Sequence, residues 1–387
     1  MTLQPRYILF PVLLWAARAL AAQPVMARDR TLQAACFAPN TLAAVAGESV
    51  PFRGDHRYDA SSTKIEVQPA QPVPADLRGS IRRVELPKGR KLIALTLDLC
   101  EDRGEVAGYE GRIFDYLRAQ NIKATLFAGG KWLRSHLSRS EQLMTDPLFE
   151  IGNHAEAHRN LRKLDGPALS DEILGPQRAY ENIRTHLAST QCAARAPEGI
   201  QSVAPRLGLF RFPFGACNPA ALAAVNDAGL LAIQWDLSSG DPDPHMTAGA
   251  IAEQIVRHVK PGSIIIGHAN GRGWHTAEAL PLAIPKLKAQ GYEFVTVSEL
   301  LAAGRPVIAD SCYDSRPGDT DRYDNLLALH AKPKLLPWQS GWKSTLQTTA
   351  TPQIKAAPSA KPAPSAIPAR KINREPSHGA NWTLWPF

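Results

Sequence analysis

The sequence contains no apolar run long enough to cross a membrane, which takes about 20 consecutive apolar residues. The run that begins at Tyr7 is broken by Arg18. Together with the cationic Arg6 and the Ala-Leu-Ala segment at 19–21, it is typical of a secretory signal peptide rather than of an uncleaved membrane anchor. We therefore predict that residues 1–22 are a signal peptide, that the chain is periplasmic or secreted, and that no transmembrane span remains after cleavage.

Cysteine is scarce, and no two cysteines form a CxxC pair, so a zinc site built from cysteines is not indicated. The five cysteines are Cys36, Cys100, Cys192, Cys217 and Cys312. An exported chain meets oxidising conditions, so disulfides are expected, and an odd number of cysteines leaves at least one thiol unpaired in a monomer.

Excess positive charge is lacking from the body of the chain, although the formal net charge is +8. Residues 331–387 hold eight Lys or Arg and one acid, so this tail carries +7 of that charge and the rest is close to neutral. A basic groove for nucleic acid is therefore not expected. The tail is rich in Pro and Ala with few large apolar residues, which predicts disorder; the alternative role is contact with an anionic envelope surface.

Between these unusual ends, apolar strands alternate with amphipathic helices over residues 88–305. The alternation predicts the α/β class, with about seven parallel strands and helices packed outside them. We expect a distorted (β/α) barrel, in which functional groups gather where strands end. Residues 23–87 are predicted to be an irregular region and linker, and residues 306–330 an extension that packs on the domain.

The predicted strand ends carry acids, imidazoles and one guanidinium. These residues are Asp98, His154, His158, Arg211, Asp236, Asp241 and His268. Taken singly, each has an ordinary explanation, since an HxxxH pair is often a solvated helix face and an Asp after a strand is often a turn residue. Their coincidence at successive strand ends instead indicates one functional ring.

The order of these segments resembles that of the polysaccharide deacetylase family, which includes chitooligosaccharide and peptidoglycan deacetylases. The similarity covers roughly residues 91–301. The segments that carry it are LTLD, HAEAH, RFPFG, WDLSSGD, IIGH and the closing GYEFVTVSELL. The resemblance implies a seven-stranded distorted (β/α) barrel and a hydrolase that acts on carbon–nitrogen bonds other than peptide bonds.

The resemblance also implies a metal site and a general base. His154 and His158 would bind a divalent ion, commonly zinc, through neutral imidazole nitrogens. Asp98 would be the general base that activates water, and Arg211 would keep it ionised because a neighbouring cation lowers a carboxyl pKa.

Three further residues, His268, Asp241 and Phe214, complete the assignment that the resemblance implies, and Trp274 is a separate candidate from the loop after His268. His268 would be the general acid that protonates the departing amine, oriented by Asp241. The backbone N–H of Phe214 would help to stabilise the oxyanion. Trp274 could stack on a sugar ring, although a loop Trp is as often a packing residue. The implied partner is an acetylated glycan.

Three positions depart from the family pattern. Ala155 replaces a Ser or Thr, Pro242 replaces a Trp of the pocket wall, and Leu99 replaces an Asp that binds the metal. Leucine cannot coordinate an ion, so three explanations stay open. Glu101 or Asp102 supplies the third ligand, the general base or water completes a looser site, or the metal is lost and the protein binds glycan without cleaving it.

The cysteines that follow two of these motifs leave two arrangements open. In the first, a disulfide joins Cys100 to Cys217 and fixes the loop after the general base. Cys36 can then reach Cys312, and Cys192 stays free. In the second, Cys100 and Cys217 are buried thiols that act as small apolar residues.

The implied function is therefore that of an exported, metal-dependent enzyme that removes N-acetyl groups from a cell-envelope or extracellular glycan. Peptidoglycan, chitin oligomers and exopolysaccharides all carry such groups, and cleavage of O-acetyl esters stays open. Two rival hypotheses are a non-catalytic glycan-binding protein that uses the same cleft and an amidase that acts on a non-sugar substrate.

Overall fold

The computed structural model describes residues 32–54, 67 and 70–325. The predicted signal peptide, 1–22, and the predicted basic tail, 331–387, lie outside the described residues. Within the described ranges, no helix combines the length and the apolarity that a membrane span requires.

Twelve strands occur in the described part of the chain. In order they are β1 (Phe52–Arg53), β2 (Ser80–Glu85), β3 (Leu92–Leu99), β4 (Glu105–Val106), β5 (Ala124–Ala128), β6 (Phe149–Asn153), β7 (Leu209–Phe210), β8 (Leu231–Ile233), β9 (Leu237–Ser238), β10 (Ile264–His268), β11 (Glu293–Phe294) and β12 (Arg305–Ala309). Ten of them form one sheet in the order β12-β2-β8-β7-β6-β5-β3-β10-β9, and β11 pairs with β3 outside this path. β1 and β4 form a separate antiparallel ribbon.

The sheet is parallel apart from the β12–β2 pair at its edge. The interior strand β3 has the sequence LIALTLDL, and all eight residues are buried, as expected for a strand covered on both faces. A bridge between Arg83 of β2 and Ser263, just before β10, shows that the sheet curls back on itself. The predicted α/β class with a distorted barrel is confirmed.

Helices alternate with the strands. They are α1 (Pro39–Leu42), α2 (Gly111–Gln120), α3 (Gly130–Ser135), α4 (Leu137–Met144), α5 (Gly166–Ser189), α6 (Gln191–Ala194), α7 (Pro197–Ser202), α8 (Pro219–Asp227), α9 (Ala248–His258), α10 (Thr276–Ala289) and α11 (Val297–Ala302). Several have N-cap side chains that accept a hydrogen bond from the first turn, as Thr247 does for α9 and Asn218 for α8. These caps fix where each helix starts relative to the strand before it.

Two strands of the sheet lie outside the predicted set. β2 falls within residues 23–87, and the prediction of irregular structure is wrong for this stretch. Its sequence, SIRRVE, does not have the pattern of a buried strand, because the charged Arg82 occupies a buried position. The Arg82 guanidinium donates to the carbonyl oxygens of Tyr313 and Asp314 at 2.6 Å each. β12 then pairs antiparallel with β2, so the chain that follows the alternating segment joins the same sheet.

The cysteines pair differently from the arrangement considered from the sequence. Disulfides join Cys36 to Cys192 and Cys217 to Cys312, and Cys100 is a free, buried thiol. The Cys100–Cys217 and Cys36–Cys312 pairings are therefore wrong, as is a free Cys192. The second arrangement, of two buried thiols, holds for Cys100 alone. Distances between loops of a barrel depend on its closure, which the sequence does not encode locally.

Candidate functional site

The parallel strands end on a common edge of the sheet, where the polar residues of the sequence motifs gather. In the sheet register, His268 at the end of β10 lies beside Asp98 of β3. Arg211 directly follows β7, and its backbone N–H donates to the carbonyl of Asn153 at the end of β6. Residues far apart in the sequence come together because the carboxyl ends of parallel strands face the same way.

Asp98 and Arg211 form a buried ion pair. The Nη1 of Arg211 donates to Asp98 Oδ1 at 2.9 Å and to Thr96 Oγ1 at 2.7 Å. Its Nε and Nη2 donate to the carbonyl oxygens of Ile233 and Gln234, each at 3.3 Å. A buried charge is tolerated only when it is paired and hydrogen-bonded, and this network meets that condition.

The surroundings of Asp98 keep its carboxyl ionised. Burial alone would raise the pKa of Asp98, but the nearby His154 and Arg211 outweigh burial and hold this pKa below its ordinary value. The Oδ2 of Asp98 lies 3.3 Å from His154 Nε2. The guanidinium of Arg211 also lies 4.0 Å from the centroid of the Phe127 ring, which holds it under the strand ends.

The backbone sets the orientation of His154. Its Nδ1 lies 2.9 Å from the carbonyl oxygen of Arg211. Because a carbonyl can only accept a hydrogen bond, Nδ1 carries a hydrogen, so the neutral form of the ring would have its lone pair on Nε2. A hydrogen bond of this kind orients metal-binding histidines in proteins.

His158 has a strained backbone and lies beside an aromatic pair. Its φ is 50° and that of Phe214 is 61°, both in the left-handed region that non-glycine residues rarely adopt. The rings of His158 and Phe214 are 4.5 Å apart, and Phe214 stacks on Tyr323 at 5.3 Å. The Nδ1 of His158 lies 3.2 Å from Asp102. Burial alone would lower the pKa of His158, but Cys100 and Asp102 raise it well above its ordinary value.

Cys100 joins the two histidines in one cluster of donor atoms. One ligand atom from each of Cys100, His154 and His158 lies within 4.8 Å of the other two. The Nδ2 of Asn270 donates to Cys100 Sγ at 3.1 Å and to the Cys100 carbonyl at 2.8 Å. Burial alone would raise the pKa of the Cys100 thiol, but the charge on His158 and hydrogen bonds from both histidines lower it to about 6.

The residues considered from the sequence as the third metal ligand are engaged in other contacts. Leu99 is fully buried in the hydrophobic core. Glu101 Oε2 accepts hydrogen bonds from the Ala107 backbone N–H at 3.1 Å and from Ser135 Oγ at 2.6 Å. Asp102 contacts His158 instead. Asp102 therefore reaches His158, through Nδ1 of the ring.

Asp241 and His268 form a second acid–base pair. The Nδ1 of His268 lies 2.9 Å from Asp241 Oδ1, and the backbone N–H of His268 donates to Asp241 Oδ2 at 2.7 Å. Ser239 Oγ and Thr276 Oγ1 donate to the same carboxylate at 2.9 and 2.6 Å. Burial alone would lower the pKa of His268, but Asp241 outweighs it and raises this pKa to about 9. His268 is thus held as a protonated imidazole near neutral pH.

Trp274 lies next to this second pair, whereas Asp236 does not. The Trp274 side chain is 50% exposed, and its backbone N–H donates to the Asp241 carbonyl at 2.8 Å. The carboxylate of Asp236 accepts hydrogen bonds from Ser263 Oγ and the Ile264 N–H, at the start of β10. The expectation that Asp236 belongs to the functional ring is therefore wrong, and it serves to hold the opposite end of the strand.

Sequence reasoning did not assign two side chains of this site, Cys100 and Tyr323. Side chains two positions apart on a strand share a face, so alternation from Asp98 points to Cys100 and directs Leu99 into the core. That signal was present in the sequence. No such signal pointed to Tyr323, because the segment after β12 has no regular pattern. This segment is joined to the domain by the disulfide at Cys312.

The chemistry of this edge follows from its groups. It combines an ionised carboxylate, a protonated imidazole and a cluster of nitrogen and sulfur donors suited to a divalent ion. Such a set can take a proton from one molecule, deliver a proton to a leaving group and hold positive charge between them.

Comparisons with known proteins agree on one family. The polysaccharide deacetylase family model matches residues 85–233. A peptidoglycan-N-acetylglucosamine deacetylase of Bacillus cereus is 31% identical over 223 residues, which is 56% of this chain and 91% of that relative. The peptidoglycan-N-acetylglucosamine deacetylase PgdA of Listeria monocytogenes is 28% identical over 229 residues, covering 58% of this chain but 42% of that relative.

A solved structure shows similarity over a comparable length. It is a peptidoglycan N-acetylglucosamine deacetylase in complex with a benzamide compound, at 21% sequence identity and a TM-score of 0.48. The match covers 60% of this chain and 99% of that chain.

Proposed function

Because the chain belongs to the polysaccharide deacetylase family, we propose that it is an exported, metal-dependent enzyme that removes N-acetyl groups from peptidoglycan. Membership of the family makes it a hydrolase of carbon–nitrogen bonds other than peptide bonds. The observation that carries the proposal is the meeting of the Asp98–Arg211 and His268–Asp241 pairs at one edge, beside the two histidines. The named activity of the relatives supports the substrate, and the two disulfides support an oxidising compartment.

Asp98 is the general base in this proposal. It is ionised at neutral pH, and its Oδ1 is held by Arg211, so the carboxylate has a fixed direction. Base catalysis of amide hydrolysis requires a carboxylate in reach of the attacking water. Arg211 acts as a positioning residue, since it is fully buried and reaches the reaction only through Asp98.

His268 is the general acid. The departing amine is a poor leaving group and needs a proton as the carbon–nitrogen bond breaks. Asp241 fixes the imidazole through Nδ1, which leaves Nε2 to deliver that proton. We assign the oxyanion contact to the backbone N–H of Phe214, whose ring lies beside His158, and sugar stacking to the half-exposed Trp274.

The residues present fit a divalent ion. In its neutral form His154 would offer the lone pair of Nε2 to the ion, and His158 lies in the same cluster of donor atoms. When bound, such an ion would polarise the acetyl carbonyl and lower the pKa of water. The protein itself holds the two imidazoles in place. The Arg211 carbonyl orients His154, and the loop at 155–158 positions His158.

A direct test combines metal content with turnover. The purified protein is expected to bind roughly one zinc or similar divalent ion per chain and to release acetate from N-acetylated peptidoglycan. A chelator should abolish this release, and added zinc should restore it. The His154→Ala/His158→Ala variant should lack both the ion and the activity, because it loses both imidazole ligands.

The alternative functions give different results in the same assay. Glycan binding without acetate release, and without retained metal in the unsubstituted protein, would favour a non-catalytic binding protein. Release from small non-sugar amides, with none from peptidoglycan, would favour an amidase. Release from O-acetylated glycan alone would make the enzyme an esterase.

The alkaline limb of the pH profile tests the role of His268. A general acid works while protonated, so kcat/KM should fall as the pH rises through the His268 pKa of about 9. Asp241 raises this pKa, and an Asp241→Asn variant should therefore move the alkaline limb to lower pH. The measurement is kcat/KM between neutral pH and pH 10.

A Ser239→Ala variant is the matched control. It removes one hydrogen bond to Asp241 but keeps the carboxylate charge, so the alkaline limb should stay close to its original position. An alkaline limb that does not move in Asp241→Asn would show that His268 is not the titrating acid.

A further inference from the structure

We propose that Cys100 is the third protein ligand of the metal site, so that the ion is held by two imidazoles and one thiolate. The inference rests on the proposed metal dependence and goes beyond it by naming a ligand of a different chemical class. The family pattern has a carboxylate one position earlier, where this chain has Leu99. The structure indicates that the ligand position has moved along the strand by one residue.

The first argument is the direction of the side chains around the end of β3. Asp98 faces the site, and Leu99 packs in the hydrophobic core with no exposed surface. Alternation then returns Cys100 to the face of Asp98. Cys100 directly follows the last residue of β3, and its sulfur lies on the side of the two histidines.

The second argument is the spacing of the donor atoms. Zinc bonds of about 2.0 Å to nitrogen and about 2.3 Å to sulfur place the donors of a tetrahedral site roughly 3.5 Å apart. The donor atoms of Cys100, His154 and His158 all lie within 4.8 Å of one another. Small side-chain rotations therefore suffice to bring the three donors onto one ion.

The third argument is the support that the sulfur receives. Asn270 is fully buried and donates from Nδ2 to both the sulfur and the carbonyl oxygen of Cys100. Hydrogen bonds from outside the ligand set orient metal ligands and stabilise their charge. The other four cysteines are used in disulfides, so the sulfur of Cys100 remains available as a ligand.

The neighbouring acids have other positions. Glu101 is held by Ala107 and Ser135, and its Oε1 lies 3.5 Å from Lys131 Nζ. Asp102 lies against Nδ1 of His158 and 3.6 Å from Arg272. A carboxylate that contacts the ring nitrogen of a ligating histidine orients that histidine rather than replacing the thiolate.

A thiolate ligand changes which ions the site prefers. Soft sulfur ligands favour zinc and similar transition ions, whereas carboxylate and water ligands suit magnesium, calcium and manganese. The site is therefore expected to select zinc or cobalt(II) strongly over magnesium and calcium, more so than a site completed by a carboxylate.

Cobalt(II) titration of the metal-free full chain tests the assignment without using activity. Cobalt(II) bound by a thiolate gives an intense sulfur-to-metal charge-transfer band in the near ultraviolet, which nitrogen and oxygen ligands do not give. The unsubstituted protein should show this band, saturating at roughly one ion per chain. A Cys100→Asp variant should bind cobalt(II) without the band, and Cys100→Ser should lose the band with weaker binding.

Asp102→Asn is the matched control, because it changes a neighbouring acid and keeps the sulfur. It should retain the band. Cobalt(II) that binds the unsubstituted protein without the band would overturn the Cys100 assignment while leaving metal dependence intact. Failure to bind cobalt(II) or zinc at all, measured by elemental analysis, would overturn both this assignment and the proposed metal dependence. A band that persists in Cys100→Asp would also overturn it.

Discussion

An Asp98→Asn variant is expected to lose about 10²- to 10⁴-fold in kcat, because an amide cannot take the proton of the attacking water. Asparagine keeps the shape of the side chain, and its Oδ1 can still accept the hydrogen bond from Arg211 Nη1. Substrate binding should therefore be retained. The measurements are kcat from acetate release at saturating glycan and Kd from binding of the same glycan.

This substitution also changes the charge balance of a buried site, so the loss of turnover needs a structural control. Neutralising Asp98 leaves the Arg211 charge without its carboxylate partner, and breaking a buried pair costs about 3–5 kcal/mol. Thermal unfolding should show this cost as a lower Tm, and the unfolding transition should stay cooperative. Retained kcat in a folded Asp98→Asn variant would remove Asp98 from the role of base.

Thr96→Val provides the comparison for the surrounding network. Thr96 accepts a hydrogen bond from Arg211 and donates one to the Ile265 carbonyl, so valine disturbs the same network without touching the base. A lost hydrogen bond contributes about 1 kcal/mol. Its effect on kcat should therefore stay within about tenfold, far below that of Asp98→Asn.

Much of the site could be predicted from the sequence, because the motifs that form it lie at the ends of strands. A continuous apolar run such as that of β3 encodes a buried strand locally, and the polar residue that ends it is then fixed at one edge of the sheet. Asp98, Arg211 and His268 could be expected together for this reason. The resemblance already implied that Arg211 pairs with Asp98 and that Asp241 orients His268. The distances within these two pairs required the structure, because they depend on how far the sheet has curled.

The remaining features depended on contacts between distant segments. β2 was missed because the burial of Arg82 is compensated by carbonyl oxygens about 230 residues further along the chain. The disulfides were mispaired because the partner of Cys217 lies on an extension with no periodic pattern. Strand alternation from Asp98 predicts that Cys100 faces the site, but the missing carboxylate at Leu99 made the acids Glu101 and Asp102 the candidates for the third ligand.

The segment that follows β12 both stabilises the fold, through a disulfide, and contacts the site, through Tyr323. The Cys217–Cys312 disulfide anchors it, and Arg162 forms an ion pair with Asp321 further along. Its Tyr323 then stacks on Phe214, which in turn lies against His158. Since Pro242 stands where the family has a Trp of the pocket wall, we infer that Tyr323 supplies part of the apolar wall from a different direction.

Removing the Cys217–Cys312 disulfide is therefore expected to affect both stability and substrate binding. In a Cys217→Ser/Cys312→Ser variant the free energy of unfolding should fall by about 2–5 kcal/mol, since the bond closes a long loop of the unfolded chain. KM should rise more than kcat falls, because the loosened extension holds Phe214 less firmly, while the pairs of Asp98 and His268 are untouched. Chemical denaturation and steady-state kinetics measure the two effects.

The other disulfide separates the two effects. A Cys36→Ser/Cys192→Ser variant opens a loop of 156 residues rather than 95, so its loss of unfolding free energy should be of similar size. That bond joins the N-terminal segment to α6, whereas the extension carrying Tyr323 is anchored by the bond at Cys312, so KM should stay near its original value. Equal increases in KM in both variants would mean that the kinetic effect reflects general loosening. An increase confined to Cys217→Ser/Cys312→Ser assigns the pocket wall to the extension, because global stability is matched between the two.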